Sequence, residues 1–143
     1  MIIQVPAKVE TSDAIRVLVV DDHEDTLRVL RRLLQAVGYR LATAGSAVAA
    51  LNYLANNEVD VLVSDIGLPD GTGHELVQKA KRIQNVPAIA ISGYGSAADI
   101  QKSRDAGFYA HLTKPLDFDL LHATIQKAAH EGGPKSAALV VSV

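Results

Sequence analysis

The chain has 143 residues, which is the size of one domain. Its 14 basic and 16 acidic side chains give a net charge of -2 with neutral histidines. A chain so near neutrality has no overall positive field to gather phosphate backbones, so we expect it to bind no nucleic acid by itself. It contains no cysteine, which excludes disulfides, thiolate catalysis and cysteine-based zinc sites.

The apolar content of the chain is high, but the apolar residues are spread along the sequence. Apolar residues make up 48% of the sequence, yet no segment approaches the roughly 20 consecutive apolar residues that cross a membrane. Residues 1–13 lack the basic-then-apolar order of a secretion signal. We therefore expect a cytoplasmic location and no membrane contact by this chain.

Short β-branched runs alternate with amphipathic segments along the chain. The apolar run RVLVV predicts a first strand, and leucines at helical spacing followed by a glycine predict a first helix. The same reasoning predicts five strands, over residues 16–20, 39–44, 60–64, 88–92 and 108–113. It predicts five helices, over residues 24–37, 46–57, 74–83, 97–106 and 117–130.

Helical periodicity also predicts which side chains face the core. The inward positions expected for the first helix are Leu27, Leu30, Leu33, Leu34 and Val37. Those expected for the second and the last helix are Val48, Leu51, Leu54 and Ala55, and Leu120, Leu121, Ile125 and Ala128.

Strict alternation of strand and helix predicts an α/β fold with a five-stranded parallel sheet. Each parallel connection needs a crossover helix, and right-handed crossovers place helices on both faces of the sheet. The nearly continuous apolar runs of the first and third strands fit burial on both faces. The sequence therefore predicts a doubly wound parallel sheet.

Polar side chains lie at the carboxyl ends of four of the predicted strands. Asp21 and Asp22 follow the first strand, Asp65 the third, and Lys114 the fifth, while Ser92 ends the fourth. Open parallel sheets bind ligands at the carboxyl ends of their strands. If the strand order is 2-1-3-4-5, all of these side chains meet at one edge of the sheet.

Three carboxylates at one edge repel each other unless a cation lies among them. An all-oxygen ligand set favours a hard divalent ion, best Mg²⁺. A lysine and a hydroxyl group beside such an ion are the donors that phosphoryl transfer needs, with Asp65 as a plausible covalent acceptor. Taken singly, each residue also fits a simpler role as helix cap, turn residue or surface lysine.

The segments VLVVDDHEDT, LVSDIGLPDGTG, IAISGYG and HLTKP together resemble the receiver domain of two-component response regulators. The resemblance covers residues 15–130. It implies a flavodoxin-like sheet of order 2-1-3-4-5, an N-terminal extension over residues 1–14 and a C-terminal tail over residues 131–143.

The resemblance implies a role for each matching acidic position. Asp65 is expected to accept a phosphoryl group from a phosphohistidine donor. Asp22 is expected to bind Mg²⁺ directly, Asp21 directly or through water, and Asp65 to share the ion. The backbone carbonyl of Gly67 is expected to complete the metal site.

The resemblance also implies roles near the ends of the fourth and fifth strands. Ser92 and Lys114 are expected to bind the phosphoryl group, and the Lys114–Pro115 bond is expected to be cis. His111 occupies the position of the family's aromatic switch residue, normally Tyr or Phe, which works together with the hydroxyl at Ser92. A histidine there puts the usual coupling in doubt, because imidazole is smaller than a phenol and titrates near neutral pH.

The resemblance implies a phosphorelay signalling domain that catalyses only its own phosphorylation and dephosphorylation. The expected partner is a histidine kinase or a histidine phosphotransfer protein, and the expected state is a monomer or weak dimer. The motifs look most like receivers at the C-terminal end of hybrid sensor histidine kinases. The 13 residues after His130 are too few for a DNA-binding domain, which fits an excised domain or a single-domain regulator.

Three alternatives remain open at this stage. The segment DHEDT faintly resembles the DxDxT motif of haloacid-dehalogenase-like phosphatases, although Glu24 replaces the second aspartate. A flavodoxin-type cofactor binder needs a hydroxyl-rich phosphate loop where this chain has the acidic segment DDHED. A receiver-like module that is never phosphorylated is the third alternative.

Overall fold

Five short parallel strands form one sheet in the computed structural model, which describes residues 14–131. The strands are β1 (Arg16–Val20), β2 (Arg40–Ala44), β3 (Val61–Asp65), β4 (Ala88–Ser92) and β5 (Ala110–Thr113). The helices are α1 (Glu24–Ala36), α2 (Ala47–Asn56), α3 (Gly73–Ile83), α4 (Ala97–Ala106) and α5 (Phe118–Glu131). The predicted N-terminal extension and C-terminal tail lie outside the described residues, apart from Ala14 and Glu131.

The strand order is β2-β1-β3-β4-β5, with every pair parallel. This confirms the predicted doubly wound sheet and its 2-1-3-4-5 order. In the register of the sheet Asp65 pairs with Ile91 and Ser92 pairs with Thr113. The ends of β3, β4 and β5 therefore lie side by side at one edge.

The core consists of two apolar layers, one on each face of the sheet. Alternate residues of β1 and β3 point to opposite faces, so Leu18 and Leu62 join one layer while Val19 and Val63 join the other. Helices α2 and α3 cover the first layer, and α1 and α5 cover the second. All of these strand side chains are almost fully buried, which is why both strands lack polar alternation.

Several predicted element ends are off by one or two residues. β2 begins at Arg40 and β5 at Ala110, because the amides of Tyr39 and Phe108 donate to carbonyls of the preceding helices and not to a neighbouring strand. Asp65 is the last residue of β3 rather than the first of the loop. A two-stranded hairpin, Gly67–Leu68 with Gly71–Thr72, occupies part of the predicted loop.

The predicted inward faces of three helices were too wide. Leu30 and Leu34 of α1 are buried as predicted, and so are Leu54 of α2 and Leu121, Ile125 and Ala128 of α5. The predictions for Leu33, Val37, Val48, Ala55 and Leu120 were wrong, because these residues are exposed. A helix lying on a flat sheet buries only a narrow stripe, so the positions beside that stripe face solvent even when they are apolar.

No helix within residues 14–131 is both long enough and apolar enough to cross a bilayer.

Candidate functional site

The carboxyl edge of the sheet gathers the predicted acidic side chains. Asp21 follows β1 directly, and its amide donates a hydrogen bond to the carbonyl of Ala44 at 3.1 Å. Asp65 ends β3, the neighbour of β1. Carboxylate oxygens of Asp21, Asp22 and Asp65 and a ring nitrogen of His23 all lie within 4.8 Å of one another. The structure thus brings together the three aspartates that the sequence singled out.

Two of the three carboxylates are buried. Asp21 is 2% exposed and Asp65 is 8% exposed, whereas Asp22 faces solvent. The amide of Gly67 donates to Asp65 Oδ1 at 3.3 Å, and the amide of His23 donates to Asp21 Oδ1 at 2.9 Å. Buried carboxylates retain their charge only beside hydrogen-bond donors or cations.

Lys114 brings a positive charge to the same edge, as predicted. Its Nζ lies 3.1 Å from Asp65 Oδ2 and 3.8 Å from Asp21 Oδ2. The amide of Lys114 donates to the carbonyl of Ser92 at 2.7 Å, which fixes the chain after β5 against the end of β4. The Lys114–Pro115 bond is cis, as predicted.

His23 is a member of this site that the sequence reasoning missed. Its Nδ1 lies 3.0 Å from Asp21 Oδ1 and 3.2 Å from Asp22 Oδ1. The pKa of His23 is raised, first by its hydrogen bond to Asp21 and then by the charge of Asp22. A histidine next to paired aspartates in the segment DDH was the available signal, but local sequence does not show where its ring points.

The loop after Asp65 is fixed by one hydrogen bond that joins its two ends and by two that tie Asp70, near its middle, to α2. The amide of Gly73 donates to the carbonyl of Ile66 at 2.7 Å. The Asp70 carboxylate accepts hydrogen bonds from the amides of Ala47 and Val48, at 2.8 and 2.9 Å, at the start of α2. These two bonds lower the pKa of Asp70. The sequence reasoning had assigned Asp70 no role, because its partners lie more than 20 residues away.

Ser92 and His111 are linked through the backbone of one residue. Ser92 Oγ accepts a hydrogen bond from the amide of Tyr94 at 2.9 Å. His111 Nε2 lies 2.9 Å from the carbonyl oxygen of Tyr94, so Nε2 must carry a proton and donate. His111 Nδ1 lies 2.7 Å from Ser103 Oγ on α4. In the neutral ring Nδ1 therefore accepts from the buried Ser103 hydroxyl.

The donors at the sheet edge fit a divalent cation. Three carboxylates face one another, and among residues 14–131 one lysine ammonium lies within 4 Å of Asp65 and Asp21. This leaves negative charge in a half-buried position, which a divalent ion would offset. The oxygen-rich donor set suits Mg²⁺.

Comparisons with known proteins agree with this geometry. Residues 17–126 match the family described as the response regulator receiver domain. The sensor histidine kinase RcsC of Salmonella typhimurium is 32% identical over 117 residues, which are 81% of this chain and 12% of that protein. The chain therefore spans only a small part of the length of such relatives.

Solved structures show the same fold. A CheY-like response regulator receiver domain protein from Methanospirillum hungatei has a TM-score of 0.78 and 30% identity, covering 84% of this chain and 97% of that one. A response regulator protein from Burkholderia pseudomallei has a TM-score of 0.74 and 25% identity, covering 80% of this chain and 68% of that one. The chain belongs to the response regulator receiver domains of two-component signal transduction systems.

Proposed function

We propose that this receiver accepts a phosphoryl group on Asp65 from a phosphohistidine of a histidine kinase or histidine phosphotransfer protein. The observation that carries the proposal is the position of the Asp65 carboxylate at the sheet edge. It is nearly buried, it lies among two further aspartates, and its Oδ2 is 3.1 Å from Lys114 Nζ.

The proposed reaction is a single displacement at phosphorus. An oxygen of Asp65 forms a bond to phosphorus while the bond from phosphorus to the donor imidazole nitrogen breaks. The imidazole takes up a proton, and Asp65 becomes an acyl phosphate. Lys114 is placed to neutralise a phosphoryl oxygen as charge spreads over the transferred group, because it already contacts the acceptor carboxylate.

The metal ion proposed for this site is Mg²⁺. Asp22 and Asp65 would bind it directly, Asp21 directly or through water, and Gly67 through its backbone carbonyl. When bound, the ion would neutralise charge on the phosphoryl oxygens. Gly67 lies next to the proposed acceptor, because its amide donates to Asp65 Oδ1 at 3.3 Å.

A solved relative supports this chemistry. The Burkholderia pseudomallei protein is described with a phosphorylated aspartic acid and a calcium ion. Calcium, like magnesium, is a hard cation that takes oxygen ligands. That protein, which is 25% identical to this chain, is a precedent for the proposal at Asp65.

The proposed signal leaves the site through Ser92 and His111. A phosphoryl group on Asp65 would offer strong acceptor oxygens to the Ser92 hydroxyl. As Ser92 moves toward the phosphoryl group, its Oγ would give up the hydrogen bond that it now accepts from the Tyr94 amide at 2.9 Å. Because His111 holds the carbonyl of the same residue, the change would reach β5 and α4. The proposed output surface is the face around α4, β5 and α5.

The proposed domain limits are residues 15–130, slightly beyond the family match over residues 17–126. Within them we propose a monomer or weak dimer in the cytoplasm that binds neither nucleic acid nor membrane by itself. We propose that the domain catalyses only its own phosphorylation and dephosphorylation. Two contexts fit the domain: similarity to part of the kinase RcsC fits a receiver within a hybrid kinase, and the 97% coverage of the CheY-like protein fits a single-domain regulator.

The test is incubation with acetyl phosphate and Mg²⁺, followed by intact mass and peptide mapping. The wild type should gain one phosphoryl group on Asp65, and Asp65→Asn should gain none. Asp22→Ala should lose Mg²⁺-dependent labelling, whereas Asp25→Asn should label normally, because Asp25 is an exposed acid of α1 that contacts Arg28. Modification at another residue would overturn the assignment, and steady turnover of phosphomonoesters would favour a phosphatase.

A further inference from the structure

We propose that the His23 imidazole is an additional ligand at the metal site, and that it shifts the selectivity of the site from Mg²⁺ toward divalent transition metals such as Mn²⁺ and Ni²⁺. This inference rests on the metal site of the proposed function. It adds a nitrogen donor to a site that otherwise offers oxygen donors alone.

The spacing of the donor atoms supports a shared ion. Neighbouring ligands of an octahedral ion at about 2.1 Å lie about 3.0 Å apart. His23 Nδ1 lies 3.0 Å from Asp21 Oδ1 and 3.2 Å from Asp22 Oδ1. His23 Nδ1 is therefore separated from each of these two oxygens as adjacent ligands of one ion are, and Asp65 contributes an oxygen within the same 4.8 Å group.

The local backbone holds the imidazole in this position. His23 is the residue immediately before α1, where a side chain often caps the helix, but its ring makes no capping hydrogen bond. Its own amide donates at 2.9 Å to Asp21 Oδ1, the same oxygen that the ring Nδ1 approaches at 3.0 Å. The side chain is 65% exposed, so an ion can reach Nδ1 without opening the core.

The chemistry of the donors sets the expected selectivity. Mg²⁺ prefers oxygen ligands and keeps several waters, so it gains little from an imidazole. Imidazole nitrogen suits transition metals, and affinity rises from Mn²⁺ to Ni²⁺ for a given site. Removing the nitrogen should therefore weaken Ni²⁺ most, Mn²⁺ less and Mg²⁺ least.

The test is metal binding by the full chain at slightly alkaline pH. Mn²⁺ binding is followed by electron paramagnetic resonance, and Ni²⁺ and Mg²⁺ are measured by competition. His23→Gln should lower Mn²⁺ affinity about tenfold and Ni²⁺ affinity by more, with Mg²⁺ affinity changed less than about twofold. His130→Gln, at an exposed histidine of α5, is the control and should change none of the three.

Nitrogen coupling to bound Mn²⁺ gives a second readout. The wild type should show electron spin-echo modulation from a coordinated ¹⁴N, and His23→Gln should lack it. If Mn²⁺ binds without nitrogen coupling and His23→Gln leaves the Mn²⁺ to Mg²⁺ ratio unchanged, His23 is only a hydrogen-bond donor and this inference is wrong. If the wild type binds no divalent ion at all, the metal site of the proposed function fails as well. Asp22→Asn should weaken every ion whether or not His23 is a ligand, so it tests the proposed metal site independently of His23.

Discussion

Lys114 Nζ lies near two carboxylates at the ends of different strands, 3.1 Å from Asp65 Oδ2 and 3.8 Å from Asp21 Oδ2. One ammonium thus contacts both the proposed acceptor and a proposed metal ligand. Its side chain is 34% exposed, so an incoming phosphoryl group can reach it. This geometry places Lys114 where it can bind the transferred group.

Replacing this ammonium should slow phosphorylation without abolishing folding. Lys114→Gln should lower the rate of labelling by acetyl phosphate on the order of 10²-fold, since it removes one charged donor from the developing phosphoryl charge. Intact mass against time measures the rate. Lys127→Gln, at an exposed lysine of α5, should label at the wild-type rate. An unchanged rate in Lys114→Gln would show that Lys114 is only a structural partner of Asp65.

Gly73 lies against the backbone of the acceptor loop, so a side chain at this position should destabilise the fold. A Cβ at this position would lie 2.6 Å from the carbonyl oxygen of Asp65 and 2.9 Å from the Cα of Ile66. Gly73→Ala should therefore lower the free energy of unfolding by roughly 1–3 kcal/mol and slow labelling of Asp65. Urea unfolding measures the stability, and the labelling assay measures the rate.

The control for this variant is Gly45→Ala, where a Cβ would meet no atom within 4 Å. Its stability should stay within about 1 kcal/mol of the wild type. If the two variants unfold at the same urea concentration, the close approach of Gly73 to Asp65 is not a constraint on the loop.

The hydrogen bonds of His111 should report activation. Beryllofluoride, a phosphoryl mimic, should shift the Ser92 and Tyr94 amide signals and the imidazole signals of His111 in NMR spectra. The reason is that Ser92 and His111 hold the backbone on the two sides of Tyr94, through its amide and its carbonyl group. Ser103→Ala should alter the His111 imidazole signals even without the mimic, because it removes the 2.7 Å partner of Nδ1.

The His111 result has a clear contrary outcome. If Ser92 shifts and the His111 ring does not, His111 is a half-buried strand residue that is bonded in both states. The phosphorylation proposal would survive that result, but the route of the signal through β5 would not.

Tyr39 should make the fold sensitive to alkaline pH. Burial raises the pKa of Tyr39 to about 12 from 10.0. Above pH 10 the unfolded chain releases a proton that the folded chain retains, so stability is complete below pH 10 and falls as pH rises toward 12. The loss should reach roughly 2–3 kcal/mol.

Urea unfolding at increasing pH measures this effect. Tyr39→Phe should be less stable at neutral pH, because it removes the hydroxyl that lies 2.8 Å from His122 Nδ1. The stability of Tyr39→Phe should also lack the fall that Tyr39 causes between pH 10 and 12. Tyr53→Phe, on α2, should show the same fall as the wild type. Parallel pH curves for the wild type and Tyr39→Phe would contradict the assignment.

The sequence alone determined the architecture and the positions of the main acidic residues. β1 and β4 are short apolar runs bounded by polar residues, so Arg16–Val20 and Ala88–Ser92 were predicted with the bounds that the structure shows. Asp21, Asp65 and Lys114 could be placed at one edge because parallel strands share a direction. These inferences depend only on local pattern and on the topology of a parallel sheet.

Only the tertiary structure decided which side chains touch across elements. Ser103 bonding His111 and Asp70 capping α2 each join a side chain to a partner placed by packing. The contact of His23 with its neighbours Asp21 and Asp22 depends on side-chain rotamers, which the sequence does not specify. The exposure of Leu33 and Leu120 was decided in the same way. Periodicity shows which side of a helix is apolar, but the width of the buried stripe depends on the surface that the helix meets. The sequence pattern carries no information on that surface until the strands are assembled.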